Sequence, residues 1–180
     1  MPDAVPERIA FSSAALAQRI AEIGSAISID YFRKDPVLVC VLKGSLFFFA
    51  DLSRAVTVPV HLDFIAIGGF AGPSTERSSG IVRIVKDLDL DIAGRHVLLV
   101  EDIVRTGLTT AYLVQTLSAR KPASVKVCAL LVSPTQLMIN VPIAYTGFEV
   151  SATRLIGYGM DIDEKGRNLP YISEVARSTP

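Results

Sequence analysis

The stretch from His96 to Thr110 reads His-Val-Leu-Leu-Val-Glu-Asp-Ile-Val-Arg-Thr-Gly-Leu-Thr-Thr, and the rest of the chain is organised around it. Val97 to Val100 is an unbroken run of β-branched and aliphatic residues, which is typical of a strand covered on both faces. Two adjacent carboxylates, Glu101 and Asp102, follow this run directly. After a short turn, a helical pattern extends from Leu108 to Leu117. The sequence therefore predicts a buried strand that ends at an acidic pair, followed by a helix N-terminus.

The residue types in this stretch suit a phosphorylated sugar. Backbone N–H groups at a helix start, with the hydroxyls of Thr106 and Thr109 beside them, bind a phosphate dianion without a fixed cation. Ionised carboxylates only accept hydrogen bonds, so Glu101 and Asp102 together can take both hydroxyls of a ribose diol. The alternative is an ordinary strand–turn–helix whose acids cap the helix. The Thr-Gly-x-Thr spacing favours the ligand site, because the same few residues supply diol acceptors, phosphate donors and the turn.

Four segments, in order, resemble the hypoxanthine-guanine phosphoribosyltransferases, which are type I phosphoribosyltransferases. The acidic pair and the turn after it are similar to that family's loop for phosphoribosyl diphosphate (PRPP). Val39–Ser45 resembles the pyrophosphate loop, Ser74–Ile92 the mobile loop with its following strand, and Leu155–Tyr171 the carboxyl-terminal segment. The resemblance implies a single α/β domain over 1–180. It would be a parallel sheet flanked by helices, with a small hood from the amino-terminal residues and about 153–180.

The resemblance also implies an activity and its site residues. The reaction would be phosphoribosyl transfer from PRPP to hypoxanthine or guanine, with release of pyrophosphate, as in purine salvage. Glu101 and Asp102 would hold the ribose diol, and Asp161 would ligate Mg²⁺. The 5′-phosphate would lie on residues 105–110, which include Thr106, Gly107, Leu108, Thr109 and Thr110. Pyrophosphate would be held by Lys43, Gly44 and Arg167.

The residues that match the family's base pocket depart from its pattern. Arg105 stands where the family has an Asp that handles the purine N7 proton, and a guanidinium cannot act as a base. Ser133 replaces a Lys that donates to the 6-oxo group, and Arg154, next to Leu155, replaces an aromatic residue that stacks on the purine. Arg105 therefore joins Glu101 and Asp102 at the expected reaction centre, but with altered chemistry.

Two readings of these departures remain open. The first is an enzyme that transfers phosphoribosyl groups slowly to hypoxanthine and guanine, or to another acceptor with an anionic substituent near Arg105 and Arg154. The second is a weakly catalytic or non-catalytic paralogue that binds PRPP or a nucleotide. The presence of Lys43, Asp161 and Arg167 favours the enzyme, because a pure nucleotide binder has no need to hold pyrophosphate and magnesium.

Composition limits the other classes of function. The chain has 180 residues, half of them hydrophobic, and its 18 acidic and 18 basic residues cancel. This gives no electrostatic case for nucleic acid or a membrane surface, and no apolar run is long enough for a span. Cys40 and Cys128 lie in apolar strand patterns and read as buried free thiols, which favours the cytoplasm. Family resemblance adds a homodimer or homotetramer, to which the Phe47–Phe49 block could contribute apolar contacts.

Local patterns predict the remaining elements. A helix capped by Ser12 or Ser13 should run to about Tyr31, and Ser45 should cap a helix through Arg54. Asp87, Asp89 and Asp91 alternate with apolar residues and read as a solvated strand edge rather than a metal site. The polar loop Gly68–Gly80 is predicted to be a lid. Further strands are predicted at Val37–Leu42, Val58–Ile67, Ile81–Lys86, Val125–Val132 and Ala144–Glu149.

Overall fold

The computed structural model describes residues 6–69, 82–151 and 154–175 of the chain. Strands and helices alternate through most of this part, which is the arrangement that the sequence pattern predicts. The helices are α1 (Ser13–Asp30), α2 (Leu46–Ala55) and α3 (Leu108–Ser118). The strands are β1 (Pro6–Phe11), β2 (Val37–Leu42), β3 (His61–Gly69), β4 (Val82–Lys86), β5 (His96–Val104), β6 (Ser124–Val132), β7 (Ile143–Glu149), β8 (Leu155–Ile156) and β9 (Ile172–Val175).

Six of these strands form the central sheet, in the order β4-β3-β2-β5-β6-β7. The five strands from β3 to β7 in that order are parallel, and β4 adds an antiparallel edge next to β3. The middle strands β2 and β5 are almost entirely apolar because helices cover both faces of the sheet. Their carboxyl ends therefore meet at one edge, which is where open α/β sheets bind ligands.

The two faces of the sheet pack into separate hydrophobic clusters. On one face, α1 and α2 cover the sheet, and Ile27, Phe48 and Leu52 are fully buried there with Leu98 of β5. On the other face, α3 packs through Leu113 and Leu117. Because successive residues of a strand point to opposite faces, neighbouring residues of β5 belong to different clusters. The same alternation decides where the acidic pair points.

A second, three-stranded sheet in the order β1-β9-β8 joins the two ends of the described chain. Its strands are antiparallel, and the buried Ser173 hydroxyl donates to the Arg8 carbonyl at 2.7 Å. The Phe11 ring lies 4.3 Å from the Phe148 ring of β7, centroid to centroid. This contact attaches the small sheet to the edge of the central sheet near the carboxyl ends of its strands.

Three local predictions need correction. Strand β5 continues through the acidic pair to Val104, because Ile103 and Val104 still pair with β6. Strand β3 starts at His61 rather than Val58, since its ladder with β2 begins opposite Val37 and Pro59 has no N–H to contribute. The hydroxyl of Ser45 does not cap α2 but accepts the backbone N–H of Asp102 at 3.0 Å.

The acidic segment after β4 is irregular rather than a strand edge. Buried Asp63 accepts the N–H groups of Asp89 and Leu90 at 2.9 and 2.8 Å, which holds this backbone out of any ladder. Asp87 forms an ion pair with Arg120 at 2.8 Å. The predicted lid falls on residues 70–81, which lie outside the described part of the chain, and only Gly68 and Gly69 before it are seen, as the end of β3.

The prediction for the cysteines agrees with the structure, and the two histidines lie at the amino ends of their strands. Both Cys40 and Cys128 are buried and unpaired. His61 is exposed and lies 3.1 Å from Asp35, at the opposite edge of the sheet from the acidic pair. His96 is half-buried, and its Nδ1 makes a hydrogen bond of 2.8 Å with the Ser124 hydroxyl. Within the described residues, no helix has the length and apolar character needed to cross a membrane.

Candidate active site

The acidic pair lies within β5, so its two side chains point to opposite faces of the sheet. Glu101 points toward α3, where the Thr110 hydroxyl donates to its Oε2 at 3.0 Å. Asp102 points toward the turn after β2 and lies against Gly44. The two carboxylates are therefore held by different elements, although both line one cavity.

Glu101 is a buried carboxyl group with incomplete hydrogen bonding. Its exposed fraction is 5%, and its Oε1 has no hydrogen-bond partner among the described residues. Burial raises the pKa of Glu101 to about 8, because the charged form loses its hydration, and this outweighs the opposing effect of the Thr110 hydrogen bond. A buried acceptor without a partner costs free energy in the folded protein. A ligand hydroxyl that reached Oε1 would supply the missing bond.

Asp102 is held by the close approach of three chain segments. A Cβ atom on Gly44 would overlap the Asp102 carboxylate, and a Cβ on Gly159 would overlap the carbonyl oxygen of Gly44. Only glycine allows this stacking of the two backbones and the side chain. Burial also raises the pKa of Asp102, and nearby Arg167 and Arg105 oppose that shift.

The turn between β5 and α3 presents a helix N-terminus to the same cavity. Gly107 is the N-cap residue with φ of +79°, and a Cβ there would crowd the carbonyl oxygen of Ile139. No side chain caps this helix at Gly107. The first N–H groups of an α-helix have no partner within the helix, so those of Thr109 and Thr110 are placed to bind an anion. The Thr106 and Thr109 side chains line the cavity beside them.

The segment after β8 brings a second group of charges to the site. Arg167 NH2 lies 2.7 Å from Asp161 Oδ1 and 3.3 Å from Glu164 Oε2. Its NH1 donates to the Gly159 carbonyl at 2.8 Å, and its Nε is buried with no partner in the part of the chain that the structure describes. Lys43 Nζ, on the turn after β2, lies 3.1 Å from the same Glu164 oxygen. The Leu42–Lys43 peptide that carries this lysine is cis.

Glu164 is the residue of this group that sequence reasoning missed. Its spacing of three from Arg167 was the only local signal, and such pairs are common on protein surfaces. The contact with Lys43 joins residues 121 positions apart, so only the fold reveals it. These ion pairs hold the pKa of Glu164 below its usual range, the Lys43 contact having the larger effect.

A cavity of about 480 Å³ connects these groups. Eleven of the fifteen site residues predicted from the sequence line it, and they are Lys43, Gly44, Glu101, Asp102, Arg105, Thr106, Gly107, Thr109, Thr110, Asp161 and Arg167. The four that do not are Leu108, Ser133, Arg154 and Leu155. Leu108 is half-exposed, whereas Leu155 is buried in the core. Ser133 is buried beyond the end of β6 with an unpaired hydroxyl, and its N–H donates to the Val104 carbonyl at 2.9 Å.

Three carboxylates line the cavity, those of Glu101, Asp102 and Asp161, and Asp161 is the one on the same segment as Arg167. Mg²⁺ keeps several waters and is commonly bound through one or two carboxylates together with substrate phosphates. Asp161 fits that role, because its carboxylate lines the cavity beside the cationic groups. Among residues 6–69, 82–151 and 154–175 there is no cluster of three or more His, Cys, Asp or Glu side chains that could bind a metal without a substrate.

Comparison with known proteins identifies the family. The phosphoribosyl transferase domain family matches residues 11–163. Hypoxanthine-guanine phosphoribosyltransferase of Mycobacterium tuberculosis is 48% identical over 160 residues, covering 86% of this chain and 78% of that protein. Hypoxanthine-guanine-xanthine phosphoribosyltransferase of Tritrichomonas foetus is 40% identical, with 96% and 93% covered.

A solved structure supports the same assignment. Hypoxanthine phosphoribosyltransferase from Trypanosoma cruzi, in complex with the product IMP, superposes with a TM-score of 0.86 at 35% identity, covering 98% of this chain and 97% of that one. This agreement confirms the predicted type I phosphoribosyltransferase fold. The order of the four motifs, the geometry at the carboxyl ends of β2 and β5, and the identity over most of the chain lead to one conclusion. The chain belongs to the hypoxanthine-guanine phosphoribosyltransferase family.

Proposed function

We propose that the protein is an enzyme of purine salvage that transfers the phosphoribosyl group of PRPP to a purine base, hypoxanthine or guanine, and releases pyrophosphate. One observation carries the proposal. The acidic pair, the N-terminus of α3 and the cations Lys43 and Arg167 line a single cavity, and these are the kinds of group that the three parts of PRPP require. Lys43 and Arg167 favour PRPP over a simple ribose phosphate, because a ligand without pyrophosphate would leave these two cations without a role.

The ribose and its phosphate would be held by groups that β5 and α3 position. The unpaired Oε1 of Glu101 and the carboxylate of Asp102 would accept the ribose hydroxyls. The first N–H groups of α3 and the Thr106 and Thr109 hydroxyls would bind the 5′-phosphate. These contacts fix the anomeric carbon relative to the base, and such alignment is a large part of catalysis in a displacement reaction.

The pyrophosphate would lie between Lys43 and Arg167. The buried, unpaired Nε of Arg167 offers a donor to a ligand oxygen. Asp161 would hold Mg²⁺, which, when bound, would supply positive charge to neutralise the leaving group. Arg167 and Lys43 supply the rest of that neutralisation as pyrophosphate departs.

A second candidate is transfer to an acceptor with an anionic group. Arg105 lines the cavity beside the acidic pair and is always charged, so it cannot accept a proton from the base. A cation in this position would instead stabilise a negatively charged or readily deprotonated acceptor. The Tritrichomonas foetus relative is named for xanthine as well as hypoxanthine and guanine. Xanthine is the most acidic of these three bases, and it is the first such acceptor to test.

Two measurements test the proposal. PRPP with Mg²⁺ should raise the melting temperature, because a ligand that binds only the folded state stabilises it. The absence of a shift at millimolar PRPP would exclude the sugar-phosphate site. Release of pyrophosphate should then be measured with hypoxanthine, guanine, xanthine and related heterocyclic carboxylates. Binding of PRPP without release for any acceptor would favour the non-catalytic paralogue.

We expect the rate with hypoxanthine or guanine to be low, because of Arg105 and the changes at Ser133 and Arg154. A rate near ~10 per second, which is ordinary for an enzyme, would show that these substitutions do not impair purine transfer. A markedly higher rate with an anionic acceptor would select the second candidate.

Features around the site support proposals about the hood, the subunit contact and the location of the protein. The small sheet β1-β9-β8 would act as the hood over the acceptor base. The prediction that Phe47–Phe49 supplies a subunit contact needs correction, because Phe48 and Phe49 are buried in the core. The exposed side chains of Phe47 and its neighbour Leu46 would instead form part of a homodimer or homotetramer contact, which sedimentation analysis can test. The buried free thiols of Cys40 and Cys128 are compatible with a cytoplasmic location.

A further inference from the structure

Glu164 lies at the tip of a two-residue hairpin turn within the segment after β8. Ile162 and Lys165 exchange two backbone hydrogen bonds of 3.1 Å each across the turn. The two central residues, Asp163 and Glu164, have φ angles of +54° and +61°, which is the pattern of a type I′ turn. The N–H of Glu164 also donates to Asp161 Oδ2 at 2.8 Å. The backbone therefore fixes where the Glu164 side chain starts.

One oxygen of Glu164 bridges both cations that are proposed to hold pyrophosphate. Its Oε2 lies 3.1 Å from Lys43 Nζ and 3.3 Å from Arg167 NH2. Lys43 and Arg167 line the cavity, so a pyrophosphate bound there would seek these same donors. The Glu164 and Lys43 side chains are both about two-thirds exposed, at 67% and 68%. Glu164 can therefore leave the cations for water without breaking any packing.

We propose that Glu164 is the internal counter-anion of the pyrophosphate site: its carboxylate occupies the position between Lys43 and Arg167 in the free protein and is displaced when pyrophosphate binds. The inference rests on the proposed function, since it assigns Lys43 and Arg167 to pyrophosphate. Glu164 and Asp161 together balance the charges of the two cations, so these four groups give the site no net charge in the free protein. Pyrophosphate, with its higher charge, competes successfully, but each binding event includes the cost of displacing Glu164.

The consequence is that Glu164 weakens the hold on pyrophosphate and so favours release of the product. Removal of its charge should tighten the binding of pyrophosphate about two- to fivefold, the range that exposed ion pairs allow. The opposite role, in which Glu164 merely positions Lys43 and Arg167, predicts weaker binding after the same change. The sign of the effect therefore separates the two roles.

The test is calorimetric titration of the full-length protein with inorganic pyrophosphate, in buffer with EDTA so that no divalent cation contributes. Wild type is compared with Glu164→Gln and with Asp163→Asn as the matched control. Asp163 occupies the same turn, and asparagine readily adopts its positive φ. We expect a two- to fivefold lower Kd for Glu164→Gln, a smaller change for Asp163→Asn, and a difference that shrinks as salt is raised.

A double variant tests whether the effect arises from the contact of Glu164 with Lys43. In a Lys43→Gln background, Glu164→Gln should tighten binding less than in wild type, because one of the two contacts is already absent. Weaker or unchanged binding in Glu164→Gln, or an equal gain in Asp163→Asn, would overturn the inference while leaving the proposed function intact. If wild type and variants alike failed to bind pyrophosphate and PRPP at millimolar concentration, both would be overturned.

Discussion

The two halves of the candidate site are built in different ways. The sugar-phosphate half depends on backbone approach: Gly44 lies against Asp102, Gly159 lies against Gly44, and Gly107 begins α3 with a positive φ. The base half, as matched to the family, depends on the side chains of Arg105 and Ser133, which another residue could replace without moving the chain. The comparison suggests that the first half is fixed by the fold, whereas the second can change its acceptor by substitution.

Gly44→Ala is expected to have the largest effect on the sugar-phosphate half of the site. Its Cβ would overlap the Asp102 carboxylate, so either the turn after β2 or the side chain of Asp102 must move by roughly an ångström. Misplacement of that size costs about 100-fold in activity, and here it affects both the diol and the pyrophosphate contacts. We expect kcat/KM for PRPP to fall by more than about 100-fold, as measured by pyrophosphate release.

Gly94→Ala is the matched control for this variant. Gly94 has a φ of +70°, but no atom lies within 4 Å of the position of an added Cβ. The substitution should therefore lower stability by about 1 kcal/mol through backbone strain and leave transfer unchanged. Equal losses of activity in the two variants would contradict the view that close packing at Gly44 builds the site.

Glu101→Ala tests whether a buried carboxyl in the sugar half serves binding rather than folding. Removing one partner of a buried hydrogen bond costs about 1–3 kcal/mol, so kcat/KM should fall about 10- to 100-fold. Stability should not fall, because no described residue is hydrogen-bonded to Oε1 of Glu101 and the variant no longer bears the cost of a buried ionisable group. Asp63→Ala is the contrast, since that buried carboxylate accepts three backbone N–H groups. We expect Asp63→Ala to lower the free energy of unfolding in urea by about 3 kcal/mol or more. A similar decrease in Glu101→Ala would show that Glu101 also serves folding.

Arg105→Asp tests the base half of the site. An aspartate here would supply a proton acceptor beside the purine, and general bases contribute about 10²–10⁴-fold to proton transfers. Since Ser133 and Arg154 are unchanged, we expect a smaller rise, about tenfold, in the rate with hypoxanthine. Arg105→Gln separates the two causes, because it removes the cation without adding a base. No gain in Arg105→Asp, or an equal gain in Arg105→Gln, would show that the missing base does not limit the rate.

Most of the fold could be predicted from the sequence, because it depends on local patterns. The run Val37–Leu42 and the helix after Ser12 are bounded by residues that end or cap such elements, and the structure places them within one residue of the prediction. The segment around Asp89 could not be predicted, since its path is set by Asp63, which lies 26 positions earlier in the chain and is buried beneath it. Alternation of polar and apolar residues looks the same in a strand and in such a loop.

The residues of the candidate site were predictable as a set, but their contacts were not. Motif spacing located Glu101, Asp102 and Thr110, yet the strand was expected to end at the acids. Continuation of β5 sends the two carboxylates to opposite faces, and only pairing with β6 fixes that continuation. Glu164 was missed for a similar reason, because its significance comes from Lys43, far away in the chain.

The sugar half should also show a dependence of stability on pH through Glu101. Burial raises the pKa of this carboxyl to about 8 in the folded protein, whereas an unfolded chain has it near the ordinary value of about 4.3. Between these values the folded state keeps a proton that the unfolded state has lost. The contribution is therefore fully present below about pH 4.3 and is lost as the pH rises through 8.

The expected slope is about 1.4 kcal/mol for each pH unit inside this window, or roughly 3 °C in Tm for a chain of this size. Other groups titrate as well, so the measurement is the difference between wild type and Glu101→Gln at pH 5, 6, 7 and 8. Glutamine cannot ionise, and its curve should lie progressively above that of wild type as the pH increases. Parallel curves would mean that Glu101 ionises in the folded protein as readily as an exposed acid. Burial of this carboxyl in the sugar half would then carry no cost before PRPP binds.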